Sequence, residues 1–377
     1  MAPSTVTPQM YHSAFTTTLD TLLHDRTQSN SALRERAQLH LAVLDRPQVA
    51  SYTLPDLDPC LEITAKRVFI AMYQVGDEFH KPASARFVSA GICACAEVIA
   101  TSSGWHHELH ALTSDERLVE ALNQLAMDLL TDLRCPFIRS RKFRPEDEAQ
   151  WLELQRVVVK RDHHLCLLCG RLIWDGPAGD CVKYACHART DRPCGGRIFQ
   201  RSILEPDEPN TVHERSYFTL RRYCGLNETS LDVFSPRNTL LLHDPALKAF
   251  SHFLWSLKAT AKADQYRVVV FAPDHNLGMK YPSVVTFKPH NKHPEDHLPE
   301  EILELPSPEL LLVHAMFGSV LEYSGCRNAL IRPNVILNLP NCDSGGTALA
   351  QRLSHMWSIA GLRQHVMKFA RKLGRLS

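Results

Sequence analysis

Along the first 145 residues, apolar positions recur at three- and four-residue spacing, the period that gathers them on one face of a helix. Between 11 and 47 they are Phe15, Leu19, Leu22, Leu23, Leu33, Leu39 and Leu41. A second helix is expected over roughly 61–75. A third starts near Ser84, with Phe87, Val88, Ile92, Cys95 and Ile99 on one face. A fourth starts at Ser114 and carries Leu118, Leu122, Leu125, Leu129 and Leu130. Pro55 and Pro59 mark 48–60 as a linker. Met1 to Pro8 is rich in Ser, Thr and Pro and is expected to fray.

Beyond Gln150 the pattern changes. Leu154 to Lys160 reads as a short helix, and Arg161 to Gly170 as a turn. Asn238 leads a compact apolar run, Thr239 to Leu242, which reads as a strand. Asp244-Pro245 then offers a helix start, with Asp as N-cap and Pro in the first turn. Leu247, Phe250, Leu254 and Leu257 recur behind it as one buried helix face. A strand is expected over Tyr266 to Phe271, and loop over 282–308. An apolar helix over Leu310 to Tyr323 ends near Gly325, and 341–346 is a polar linker. A last helix, 347–375, ends in a basic stretch. No internal repeat is present.

The fold class these elements define is α+β. Residues 1–145 form a helical N-terminal region, 151–275 a central mixed unit with a long insertion, and 276–377 a loop plus C-terminal helices packing on the core.

Composition narrows the function classes. The formal net charge is +1, so attraction to nucleic acid must come from local patches. From Arg156 to Arg222 twelve Lys/Arg face eight Asp/Glu, a local excess of +4. Met1 to Asp20 has neither the basic start nor the apolar run of a secretory signal. No run of apolar residues approaches the roughly 20 that a membrane helix needs. The expected setting is intracellular, nuclear or cytoplasmic, away from membranes. There the twelve cysteines are expected to be thiols or metal ligands rather than disulfides.

The chemistry-bearing residues concentrate in the central unit. His187 stands in Tyr184-Ala185-Cys186-His187-Ala188, and Asn238 follows 51 residues later. Upstream lies Arg161-Asp162 through Cys166 to Gly170, and Phe250 lies downstream. In this order the segments resemble the HNH (ββα-metal) nuclease domain-containing proteins abundant in basidiomycete fungi. Those carry a run like RDxxxCxxTG, then AAHI or ATHI, then NGIxLxxxxHxxFD. The flanks Ala85 to Ala90, Leu133 to Ile138, Leu305 to Leu310, Val313-His314-Ala315 and Ser324-Gly325 are similar too. The resemblance is collinear over roughly 85–330.

It implies a metal-dependent endonuclease acting on DNA. His187 would deprotonate the attacking water and Asn238 would brace the loop that holds it. A divalent metal, Mg²⁺ or Mn²⁺ or else Zn²⁺, would stabilise charge on the phosphate. Two positions depart from the family. Leu247 stands where its metal-binding histidine belongs, nine residues after the asparagine, and Ser251 stands where Asp is common. His243 is the best replacement ligand, with Cys186 or Asp244 assisting. The alternative is a catalytically inactive module that binds nucleic acid or protein on the same scaffold.

Three further readings rest on the residues themselves. Cys166-x-x-Cys169 has the spacing of a zinc knuckle, with Cys181, Cys186, Cys194 and His187 as possible partners for a structural zinc. The plain alternative is a pair of buried thiols acting as small apolar side chains. Arg189, Arg192 and Arg197 follow His187 closely and are candidate phosphate contacts. The basic C-terminal helix, with Arg363, Lys368, Arg371, Lys372 and Arg375, is a nucleic-acid contact, an import signal or a solvated helix end.

Overall fold

A computed structural model describes residues 8–47, 49, 54, 63–102, 114–137, 145–163, 165–170, 194–200, 212–227, 232–271, 281–288 and 303–327. The last helix expected from the sequence, 347–375, lies outside them, as does most of the 48–60 linker. The fold is α+β, with helical N- and C-terminal regions and, among the described residues, two small antiparallel sheets.

The N-terminal layer is built from α1 (Pro8–His24), α2 (Asn30–Leu41), α3 (Ala65–Glu78), α4 (Pro82–Ser102) and α5 (Ser114–Arg134). Two of these helices start on side-chain caps. Ser29 Oγ accepts from the Ala32 N–H (3.2 Å) and Thr64 Oγ1 from the Arg67 N–H (3.3 Å), each satisfying a donor that the first turn leaves open. α4 is the hub, touching α1, α2, α3 and α5. Its stretch Pro82–Thr101 is long and apolar enough, by length and composition, to cross a membrane, a property that reading the chain for apolar runs had missed. Within this fold its apolarity is spent on the surrounding helices, since 72% of that window is buried inside the protein. Arg86 on α4 donates to the backbone carbonyls of Leu22 and Leu23, tying down the C-terminal end of α1.

α6 (Pro145–Arg161) leads into the central unit. There β1 (Cys194–Arg197) pairs antiparallel with β2 (Thr239–Leu242), in a register that sets Cys194 opposite Leu242 and Arg197 opposite Thr239. α8 (Asp244–Ser251) follows β2 directly. Between the two strands α7 (Val212–Thr219) runs into a single π-helical turn, Leu220–Cys224, whose Tyr223 hydroxyl donates to the Met72 carbonyl (2.8 Å) in the N-terminal layer. A second sheet, in the order β3 (Trp255–Ala259), β4 (Gln265–Val270) and β5 (Val284–Thr286), lies beside α9 (Pro308–Ser324). α9 is buried on nearly all sides and ends at Gly325, whose φ of 81° is the left-handed conformation a helix stop favours. One buried apolar cluster runs without a break from Leu19 to Cys326, so all three sequence regions share a core.

The expected long face on α8 is corrected. Leu254 and Leu257 do not continue the helix; it stops at Ser251, and they fall in the turn and in β3. The break is at Phe253, which takes a left-handed φ of 55°. Its ring is held edge-on against Phe137 (5.0 Å) and Phe317 (4.9 Å) and stacked on His314 (4.7 Å). Strand pairing of Trp255 to Ala259 with β4, together with that aromatic cluster, outweighs the helical period. β5 is likewise a short strand inside the expected 282–308 loop.

Candidate metal centre

β2 is the axis of the site. Immediately before it the buried Asn238 side chain works as a clamp. Its Nδ2 donates to the carbonyls of Phe199 (2.9 Å) and Val233 (3.2 Å), and its Oδ1 accepts from the Phe199 N–H (2.8 Å). Asparagine offers a donor and an acceptor on one planar group, so it closes a two-way bond with a peptide as a strand partner would. The residues just beyond β1 are thereby fixed to the start of β2.

Arg161 holds the same turn from the other side, a role that its place in the sequence motif did not disclose. The side chain is fully buried at the end of α6. It donates to the carbonyls of Pro236 (2.9 Å), Thr239 (2.9 Å) and Glu304 (3.2 Å), and pairs with both oxygens of Asp162 (2.8 and 2.7 Å). A buried guanidinium is tolerable only with its donors matched in this way. Adjacent Arg and Asp followed by a turn was the only signal in the sequence.

The Cys166–Cys169 turn docks on the middle of β2 through the Leu167 N–H, which donates to the Leu241 carbonyl (3.0 Å). The Gly170 N–H closes the turn onto the Cys166 carbonyl (2.8 Å), with Gly170 at φ 65°. At the far end of β2 stands His243. Its Nδ1 lies 3.2 Å from Cys166 Sγ and 3.5 Å from Cys169 Sγ. The three ligand atoms lie within 4.8 Å of one another, and Cys166 and His243 are buried. Tetrahedral zinc with bonds of about 2.3 Å to sulfur and 2.0 Å to nitrogen separates S and N ligands by about 3.6 Å. The spacing therefore suits a metal ion held by two thiolates and one imidazole. Without an ion the same distances are those of sulfur–imidazole hydrogen bonds, whose direction follows the tautomer of His243.

This grouping joins residues that the sequence reading placed in two separate ligand sets, His243 in one and Cys166 with Cys169 in the other. His243 does not turn toward Leu247; it joins the cysteine pair. It is the N-cap residue of α8, one place earlier than expected, and makes no side-chain cap bond because its ring faces the thiols. Asp244 is no partner to it. The Asp244 carboxylate is half exposed and pairs with Lys248 one turn on (2.6 Å). Leu247 lies against β1, so close that a Cβ on Gly196 would overlap its Cδ1. The position that holds a histidine in the resembled family is here a packing contact between helix and strand. His252 is at the helix end, its Nδ1 2.7 Å from the Lys248 carbonyl and away from the cluster.

Arg197, at the end of β1, has its guanidinium between the rings of Trp151 and Phe234, 4.7 Å from each. His187, Cys181, Cys186, Arg189 and Arg192 lie outside the described residues, and of Cys194 only the backbone in β1 is described.

A second histidine sets the floor of the unit. His314 of α9 is buried and stacked flat on Phe250 of α8 (3.7 Å, 4°). Its Nε2 lies 3.1 Å from the Phe250 carbonyl and its Nδ1 2.8 Å from Ser256 Oγ. The carbonyl only accepts, so Nε2 carries the proton and Nδ1 accepts from the serine. Burial pushes the ring pKa down to about 3, which keeps it neutral.

Comparison with protein-family models, with curated proteins and with solved structures finds no match to this chain.

Proposed function

We propose that β1, β2 and α8 form an HNH-type ββα unit that binds DNA without cutting it, stabilised by a structural zinc on Cys166, Cys169 and His243. The observation that carries this reading is the contact of Leu247 with Gly196: the helix position needed for a catalytic metal is filled by a leucine packed on the strand. Of the three substitutes, His243 sits with the thiols and Asp244 pairs with Lys248, while Cys186 lies outside the described residues. The proposed zinc, when bound, supplies a cross-link rather than chemistry. The thiolates and imidazole join the end of the α6 turn to the start of α8, fixing both to β2. DNA as ligand is supported by the local excess of +4 over Arg156 to Arg222 and by Arg197, whose stacked guanidinium is pre-set at the end of β1.

The rival reading is hydrolysis with His187 as general base and Mg²⁺ or Mn²⁺ at the phosphate. Its support is Asn238, whose clamp is the brace such a site requires.

Incubating the purified full-length chain with supercoiled and linear DNA separates the two, using Mg²⁺, Mn²⁺, Zn²⁺ or chelator, with His187→Ala and Leu247→His alongside. Binding is read in parallel by fluorescence anisotropy across salt, and metal content by mass spectrometry. The proposal expects about one zinc per chain, salt-weakened DNA binding and no cleavage. Metal-dependent nicking that disappears in His187→Ala establishes the nuclease instead.

A further inference from the structure

The N-terminal helical layer contains a cavity, of about 130 Å³, between α1, α4, α5 and α7. Its walls are mainly apolar: Phe15, Leu19, Phe87, Ile99, Leu125 and Phe218. This space is large enough for one aromatic ring; an engineered hole of about 150 Å³ admits benzene.

Polar groups also line it, and several of them have partners. Asp132 accepts from Arg215 Nε (2.8 Å) and from Thr219 Oγ1 (3.1 Å). Asp128 accepts from Gln124 Nε2 (3.1 Å) and pairs with Arg215 (3.6 Å). Burial raises the Glu120 carboxyl toward its neutral form. Arg117 is different. Its Nε and Nη1 are both buried and neither has a hydrogen-bond partner; they are the only such side-chain atoms among the described residues. Arginine keeps its charge at any pH where the protein is folded, so these donors cannot be silenced by losing a proton. The Nε–H and the Nη1–H groups lie on different edges of the guanidinium, so acceptor oxygens reach them one at a time, and an anionic oxygen makes the stronger, charge-assisted bond.

We propose that this cavity is a binding site for a compact apolar carboxylate, an aryl acid or a short-chain fatty acid, with the carboxylate on Arg117 and the apolar body among Phe15, Phe87, Leu125 and Phe218. The site is remote in sequence from the Cys166, Cys169 and His243 cluster and does not depend on what that cluster binds. A cation is disfavoured because Asp128 and Asp132 already share Arg215. A neutral apolar molecule fills the space but leaves the Arg117 donors bare.

The test is calorimetric titration of the full chain with phenylacetate and hexanoate, each set against an uncharged analogue (2-phenylethanol, hexanol) and a cationic one (hexylamine). The expected result is one-to-one binding of the acids at least tenfold tighter than of the alcohols. Arg117→Met should bring acid and alcohol to parity while far-UV circular dichroism stays unchanged. Should that variant fail to fold, Ala121→Leu, which fills the lined space from α5, is expected to abolish binding of both acid and alcohol. Tighter binding of the amine, an acid preference that survives Arg117→Met, or no binding by the wild-type chain at millimolar acid overturns the proposal.

Discussion

The β1–β2–α8 unit and the N-terminal helical layer differ at one buried polar side chain, Arg117. In the unit, Asn238, Arg161, His243 and His314 each have a hydrogen-bond partner for the groups they bury, and each uses it to join two segments. In the layer, apolar faces and matched groups such as Asp132 with Arg215 and Thr219 join the helices, but Arg117 is left with two buried donors beside a cavity. A polar group that is fully matched within the chain adds rigidity and has nothing left for a ligand. One that is left unmatched costs stability and is a place where a ligand can repay it. By this measure the unit is a rigid frame, and the layer is where the proposed acid would find an unmatched donor.

That contrast can be broken most directly at Arg161. Replacement by Met removes the guanidinium and leaves Asp162 and three backbone carbonyls without their donor. Denaturant unfolding should show a loss of about 3–5 kcal/mol. A loss below about 1 kcal/mol would mean the unit does not depend on its polar clamp. Asn238→Ala comes next. It orphans the buried N–H and C=O of Phe199, and about 2–3 kcal/mol should go in the same measurement.

Gly196→Ala sharpens the packing side of the comparison. The added methyl meets Leu247, and overpacking of this kind costs about 1–3 kcal/mol. Leu247→Ala should relieve most of it, so a double-mutant cycle with no coupling would remove the contact on which the proposed loss of a ligand rests.

A smaller effect, and a graded one, follows from His314. Its native pKa of about 3 lies below the unfolded value of 6.5, so the unfolded chain binds the extra proton. The sign is therefore that stability is complete above pH 6.5 and falls as the pH drops toward 3. The slope is about 1.4 kcal/mol per unit once below 6.5. Unfolding curves at pH 6.5 and 5.0 should show it, and His314→Gln should flatten that part of the profile. The smallest change is expected at Asp244→Ala. Its ion pair with Lys248 is exposed, so stability should move by less than about 0.5 kcal/mol. Zinc content should not move at all; a fall would restore Asp244 as a ligand.

Much of the helical layer was legible. Phe87, Val88, Ile92, Cys95 and Ile99 recur at helical spacing, and α4 forms over them. The Cys166-x-x-Cys169 spacing also pointed at a metal before any partner was known. β1 was not legible, because Cys194-Gly195-Gly196-Arg197 carries none of the branched or aromatic residues that signal a strand. Its glycines make sense only once Leu247 lies across them. The end of α8 was misjudged because Leu254 and Leu257 keep the helical period while their burial comes from α9 and β4.

What the chain alone determined is local: which segments are helical, where Gly325 stops one, and which residues have the chemistry to hold metal or phosphate. Those follow from spacing within a few residues, where backbone geometry links neighbours directly. The tertiary structure decided the pairings. His243 lies 77 residues from Cys166, and Arg161 reaches carbonyls 75, 78 and 143 residues away. No periodicity spans such separations. Side chains that far apart in sequence meet only after the shared core has brought α6, β2 and α9 together, and that burial is what makes each of their hydrogen bonds obligatory.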